Sequence, residues 1–248
     1  MTALALDRRT WPEVQEEIGA GRDTVVMALG AFEQHGPHLP LATDAWLGDH
    51  LAWAVADHLD AFVAPTLTVG CSEHQLRFPG TLSLAATTFS HVIRDLLYAL
   101  AEGGFKRAVL LPSHGGNFGP LAAALKDFDS EDLRVIAVTD LAAMLAIPEQ
   151  GARDFGVPVT AGGLHAGEWE TSLMLVARRE VVREDRLAAG FTGEPRDNIE
   201  RMLAQGVRAL SANGVLGDAR QASADHGASY WDTWVRIVLD FIAHAETE

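Results

Sequence analysis

The 248-residue sequence predicts an α/β fold, a mostly parallel sheet with helices on both faces. Three observations predict it. Short apolar runs rich in β-branched residues recur along the chain, as in strands buried on both sides. Between them lie longer segments whose apolar residues return at helical spacing. The two kinds alternate, and a strand–helix–strand crossover joins parallel neighbours.

Thr10-Trp11-Pro12-Glu13 has the capping-box spacing with proline in the first turn, so a short helix runs toward Gly19-Ala20-Gly21. Thr24 to Leu29 is a continuous apolar run and reads as a buried strand. From Asp44, the residues Leu47, Leu51, Val55 and Leu59 mark one face of a helix, and Phe62-Val63-Ala64 is the next strand. Phe89, Val92, Ile93, Leu96, Leu97 and Leu100 form a helical stripe that Gly103-Gly104 ends. Arg107 to Leu111 and Leu133 to Val138 are two further strands, with a helix from Leu121 to Phe128 between them. Residues 185–222 are looser and richer in polar residues and glycine. A C-terminal helix carries Trp231, Trp234, Val235, Val238, Leu239 and Ile242. No internal repeat or linker divides the chain, so residues 1–248 read as one domain.

Composition narrows the function classes. The chain is 48% hydrophobic and 21% charged, ordinary for a globular protein and unlike a disordered one. Nineteen Lys and Arg against 34 Asp and Glu leave a net charge of -15, which argues against a broad grip on nucleic acid or an anionic membrane. A single cysteine, Cys71, cannot form an internal disulfide and suits a reducing compartment. The apolar run before Asp7-Arg8-Arg9 is too short for a secretory signal, and no stretch reaches transmembrane length. A soluble, cytoplasmic protein is expected.

Ligands of open parallel sheets gather beyond the carboxyl ends of the strands. Two polar clusters follow predicted strands: Gly30 to Asp44, and Ser113-His114-Gly115-Gly116-Asn117. A third, His165-Ala166-Gly167-Glu168-Trp169-Glu170-Thr171-Ser172, opens a predicted helix. Glu33, His35, Asp44, His114 and a carboxylate of the third cluster form a mixed imidazole and carboxylate set without thiolate, suited to Zn, Mn or Fe. Asp44, at a helix start, is placed to bridge two such ions, and a pair of metals sharing a hydroxide is a common hydrolytic device. A single histidine after a strand is more often a satisfied side chain than a ligand. His50, His58, His91 and His244 lie on helical faces without polar companions and carry only that reading, while His38 sits inside the first cluster with a hydrogen bond to its proline-rich loop as the plain alternative. A serine triad is rejected because no Gly-x-Ser-x-Gly elbow follows a strand, and no glycine-rich phosphate loop supports nucleotide binding. Cys71 reads as a small buried hydrophobe.

The three clusters resemble the creatininase (creatinine amidohydrolase) family over nearly the whole chain. Glu33-Gln34-His35-Gly36-Pro37-His38-Leu39-Pro40, with Asp44 nine residues after His35, looks like its first metal motif. Phe78-Pro79-Gly80-Thr81-Leu82-Ser83-Leu84, His114-Gly115-Gly116-Asn117 and the cluster from His165 match further blocks in order. Gly214-Val215-Leu216-Gly217-Asp218 with Ala222-Ser223 resembles a late motif. The resemblance implies a three-layer α/β/α sandwich, two divalent metal ions per chain, hydrolysis of an amide, formamide or cyclic amide through a metal-bound hydroxide, and a homo-oligomer, commonly a hexamer. It assigns Glu33, Asp44 and His114 to one metal, His35 and Asp44 to the other, and proton handling to His165.

The departures bear on substrate. Creatininase carries a ligand glutamate two residues after the motif histidine, where this chain has Gly116. It also carries a tryptophan where Ala161 stands here, and a second after the strand matching 133–138, whereas Arg134 to Asp154 contains no aromatic. Those aromatics enclose a small flat ring, so creatinine is not the expected substrate. The His-Gly-Gly-Asn form is similar to branches that deformylate a pyrimidine intermediate or cleave a small peptide in mycofactocin maturation. Glu168 stands where the mycofactocin branch tends to be basic, which tips the expectation away from that branch. Glu168 is expected to supply the ligand that Gly116 cannot, with Glu170 as its competitor. His74, Asn117 and Trp169 are expected to contact a small-molecule or short-peptide substrate. Rival readings are a hydrolase of a non-amide ring such as a keto-sugar, and a non-catalytic binding protein on the same fold.

Overall fold

A computed structural model describes residues 2–193, 201–202 and 204–247. Among these, the strands β1 (Leu4–Ala5), β2 (Thr24–Leu29), β3 (Phe62–Val63), β4 (Arg107–Pro112) and β5 (Arg134–Ala137) form one parallel sheet in the order β1-β3-β2-β4-β5. The long central pair runs in register from Thr24 opposite Arg107 to Leu29 opposite Pro112. Every residue of β2 is buried, which is why its sequence is continuously apolar rather than alternating.

Side chains of a strand point alternately to its two faces, and the packing follows that period. Val26, Ala28, Val109, Leu111 and Ile136 join a core with helices α2 (Thr43–Leu59), α5 (Leu141–Phe155), α7 (Glu168–Ala177) and α8 (Ala224–Ala245). Their neighbours Val25, Met27, Leu29, Ala108 and Leu110 join a second core with α1 (Trp11–Gly19), α3 (Ala86–Glu102) and α4 (Phe118–Lys126). Two cores on opposite faces of one sheet make three layers, as the sequence led us to expect. A single turn, α6 (Val159–Gly162), precedes the third polar cluster.

Most predicted elements fall within a few residues of their observed bounds; α4 starts at Phe118 instead of Leu121. Besides the α6 turn, two elements were not anticipated. Strand β1 is too short to show a period. Helix α5 carries Pro148 and several small residues that blur its stripe; it starts because the Asp140 carboxylate accepts the Ala143 N–H at 3.1 Å. At α1 the Glu13 carboxylate accepts the Thr10 N–H at 2.7 Å, the reciprocal half of the capping box. The described part of 185–222 is short turns and loops, as expected, while residues 194–200 and 203 of it lie outside the described residues. No helix among the described residues is long and apolar enough to cross a membrane.

Candidate metal centre

The cluster-bearing segments meet beyond the carboxyl ends of β2 and β4. Glu33 and His35 follow β2, where the Glu33 N–H donates to Leu41 O at 2.9 Å and the Gln34 N–H to Thr81 Oγ1 at 3.1 Å. Asp44 sits in the first turn of α2, and Ser113 at the end of β4 donates its hydroxyl to Asp44 O at 2.7 Å. His114 follows directly. His165 is held by the late motif, whose sequence alone gave no role: Leu216 N donates to His165 O and Leu164 N to Leu216 O, both at 2.8 Å. Gln34 completes the frame. Its amide donates to Gln75 Oε1 at 2.8 Å and Gly214 O at 3.0 Å, and its Oε1 accepts from Gly36 N at 2.9 Å.

The ionisable atoms converge. His35 Nε2 lies 3.2 Å from Asp44 Oδ1 and 3.9 Å from Glu170 Oε2. His114 Nδ1 lies 3.3 Å from Asp44 Oδ2, and its Nε2 3.5 Å from Glu33 Oε2. His165 Nδ1 is 3.5 Å from Glu33 Oε1, and its ring centre is 4.2 Å from that of His35. Among the described residues, donor atoms within 4.8 Å of one another form three candidate ion-holding groups: Glu33–Asp44–His114, His35–Asp44–Glu170 and Glu33–His35–His165. Glu33 Oε2, His35 Nε2 and Asp44 Oδ2 are buried yet have no hydrogen-bond partner. Buried polar atoms normally find one, so atoms that crowd together without bonding are aimed at a shared third party, and a cation is the party this donor set fits.

The imidazoles are oriented for that task by backbone carbonyls. A carbonyl only accepts, so each ring nitrogen facing one carries the proton. His35 Nδ1 donates to Glu33 O at 3.1 Å, His114 Nε2 to Cys71 O at 3.0 Å, and His165 Nε2 to Gln34 O at 2.6 Å. In all three rings the other nitrogen points into the cluster, the outer-shell arrangement that fixes a ligating tautomer once an ion replaces any proton there.

Electrostatics say the same. Burial disfavours charged His35, but the carboxylates of Asp44, Glu170 and Glu33 outweigh it and raise the imidazole to about 9. Burial likewise opposes charge on His114, and Glu33 and Asp44 raise it to about 10. Burial favours the neutral form of Asp44, yet His35 and His114 hold its carboxyl well below the usual range. Burial pushes Glu170 up to about 7 and raises Glu33 as well. His165 goes the other way: burial, then the positive charge of His35, drives it well below its ordinary value. The pocket thus draws cations to His35, His114 and the carboxylates and keeps His165 neutral.

One expectation is corrected. Glu168 does not face the cluster; Glu170 does. The Glu168 carboxylate is fully buried on the other side of α7, where it accepts from Ser172 Oγ at 2.9 Å, His226 Nδ1 at 2.8 Å and Tyr230 OH at 2.8 Å. The reason lies at Ala166, a non-glycine residue at φ +50°, so the spacing from His165 to Glu168 passes through a left-handed turn. That turn rotates α7 until Glu170, which takes the Ala166 N–H, points inward. Glu168's partners His226 and Tyr230 lie far along the chain on α8, beyond the reach of any local pattern.

The expected substrate contacts divide. His74 and Trp169 line a cavity above the cluster. Asn117 does not: it is fully buried, accepts from Cys71 N and donates to Leu29 O and Gly30 O, all at 2.9 Å, and so ties the segments after β2 and β4 to the Cys71 loop. His38 reaches past its own loop. Its Nε2 donates to Thr171 Oγ1 at 2.9 Å, since that hydroxyl is already donated to Gly167 O. Gly116 is no vacant ligand position, because a Cβ there would stand 2.1 Å from Cys71 O and 2.6 Å from His114 Nε2.

Comparison with known proteins decides the family. A model of creatinine amidohydrolases, the creatininase family, matches residues 7–242. The chain belongs to the creatininase family. Among curated relatives, the mycofactocin precursor peptide peptidase of Mycolicibacterium smegmatis is 33% identical over 227 residues, covering 88% of this chain and 83% of that protein. The creatinine amidohydrolase of Pseudomonas putida is 29% identical, with 94% of each chain covered. A solved mutant creatininase of Zn–Zn type superposes with a TM-score of 0.82 at 25% identity over 98% of both chains. The curated relatives it matches are named as hydrolases, a deformylase of Methanobrevibacter smithii among them at 29% identity over 78% of this chain and 80% of that protein. The sequence-based lean away from the mycofactocin branch finds no support in these identities.

Proposed function

We propose that residues 1–248 form one dinuclear amidohydrolase unit, in which Glu33, Asp44 and His114 hold one divalent cation and His35, Asp44 and Glu170 hold a second. The observation that carries this reading is the division of Asp44: its two oxygens face two different imidazoles, at 3.2 Å and 3.3 Å. One carboxylate serving two sites is how paired ions are brought together for hydrolysis. The mixed nitrogen and oxygen donors suit zinc, manganese or iron. Such ions, when bound, supply an activated water at neutral pH and polarise the carbonyl under attack.

The remaining chemistry belongs to the chain. His165 Nδ1 is an unprotonated base 3.5 Å from Glu33, with the ring proton on Nε2 and donated to Gln34 O. It takes a proton from the attacking water and returns one to the leaving nitrogen. Gln75 Nε2, 3.4 Å from Glu33 Oε1, steadies the carboxylate between them. The substrate is an amide of a small molecule or short peptide. A cytoplasmic homo-oligomer, with the hexamer that the family resemblance implies, completes the reading.

Elemental analysis tests it. The protein should carry two divalent ions per chain and Asp44→Ala should carry neither; near-full metal in that variant overturns the bridging assignment. His165→Ala should keep its metal and lose on the order of 10²–10⁴ in turnover. Loss of metal in that variant would make His165 a ligand, as the Glu33–His35–His165 group also permits.

A further inference from the structure

We infer that the cavity above the metal centre holds an uncharged aliphatic group of the substrate, next to the bond that is cut. This rests on the dinuclear reading, which fixes where that bond lies. The cavity encloses about 280 Å³. Its floor is the acidic cluster, and its opposite wall is Leu141, Met144 and Leu145 from the start of α5, with Leu164, Trp169 and Met202.

Two features of this lining select the ligand. The first is charge. Among the described residues lining the cavity there is no lysine or arginine, while Glu33, Asp44 and Glu170 all face it. Outside the cluster the lining imidazole is His74, itself 3.9 Å from the Glu73 carboxylate. A phosphate or free carboxylate held away from the metals would therefore be buried beside acids without a cationic side chain to balance its charge, at high cost. The second is shape. Leu141 is 36% exposed at the outer lip and Met144 is buried deeper, so apolar surface continues from solvent to the floor. Unbranched methionines and leucines accommodate an aliphatic side chain and offer it no hydrogen bond.

Metal-chelating hydroxamates test the wall without requiring turnover. With zinc-loaded protein of verified metal content, calorimetry compares N-acetyl-leucine, N-acetyl-glycine and N-acetyl-aspartate hydroxamates. The leucine probe should bind about 10- to 100-fold tighter than the glycine probe, and the aspartate probe most weakly. Leu145→Glu and Met202→Glu, at half-buried positions on separate segments, should each erase the leucine preference while metal content stays at two. Equal binding of leucine and glycine probes, or tightest binding of aspartate, overturns the aliphatic subsite and leaves the metal reading intact. Absence of two metals, or no binding by any probe to loaded protein, overturns the metal reading and the subsite with it.

Discussion

Exchanging the two carboxylates of α7 separates fold from function. Glu168 is fully buried among three donors, and each hydrogen bond to a buried carboxylate is worth about 1.5–3 kcal/mol. Glu168→Ala does not lose that whole sum. His226 is 21% exposed and recovers a water, and Ser172 Oγ keeps the Ser223 N–H at 3.1 Å. The Tyr230 hydroxyl is buried and keeps no partner, at a cost of about 1–3 kcal/mol, and the cavity left by the side chain adds to it. The total comes to about 3–5 kcal/mol. Glu170→Gln, in contrast, removes a carboxylate that burial already disfavours, and should change unfolding by no more than about 1 kcal/mol. Urea unfolding followed by tryptophan fluorescence, in parallel with elemental analysis, reads both effects. Glu168→Ala should unfold far more easily when metal-free, whereas Glu170→Gln should keep its unfolding midpoint and drop one ion per chain. A Glu168→Ala protein of unchanged stability that lacks one ion would refute the geometry.

Other perturbations follow from the same contacts. Gly116→Ala forces the backbone away from Cys71 O and should lower metal affinity about 10- to 100-fold, read by chelator competition, because His114 loses its orienting carbonyl. Gly116→Glu should bind metal worse still, not better. In metal-free protein His35 and His114 titrate near 9 and 10, above the ordinary imidazole value, so their stabilising protons are in place below about pH 6.5 and leave as pH rises through 9 to 10. Chelated protein should therefore lose thermal stability from pH 7 to 10, while the increment from added metal grows, since metal replaces those protons; a flat profile for both would contradict this. Burial and then Glu73 push the Cys71 thiol to about 11, so iodoacetamide at pH 8 should leave native protein unmodified and label it only after unfolding.

How much of this was legible in the chain depends on the range of the forces involved. Strands β2 and β4 were readable because burial on both faces leaves a continuous apolar run, and helices α2, α3 and α8 because burial of one face writes itself into residue periodicity. The segments after β2 and β4 were readable as a site because a parallel sheet delivers its strand ends to one edge, so Glu33, His35, Asp44 and His114 needed no partner information to be brought together. The choice between Glu168 and Glu170 was different. It turned on one left-handed residue, Ala166, and on whether α8 supplied partners for a buried carboxylate; neither leaves a mark within a few residues of the pair. The same holds for Asn117, whose type and place suggested a ligand contact until three backbone groups, at the end of β2 and in the Cys71 loop, claimed its amide. Helix α5 and its aliphatic wall depend on packing against α7 and α8, which overrides the proline and small residues that obscured it. Sequence determined which chemistry the edge of the sheet could carry, because residue type and strand order are local properties. Tertiary structure decided which carboxylate faces the centre and what covers it, because a buried polar group goes wherever its hydrogen bonds can be met.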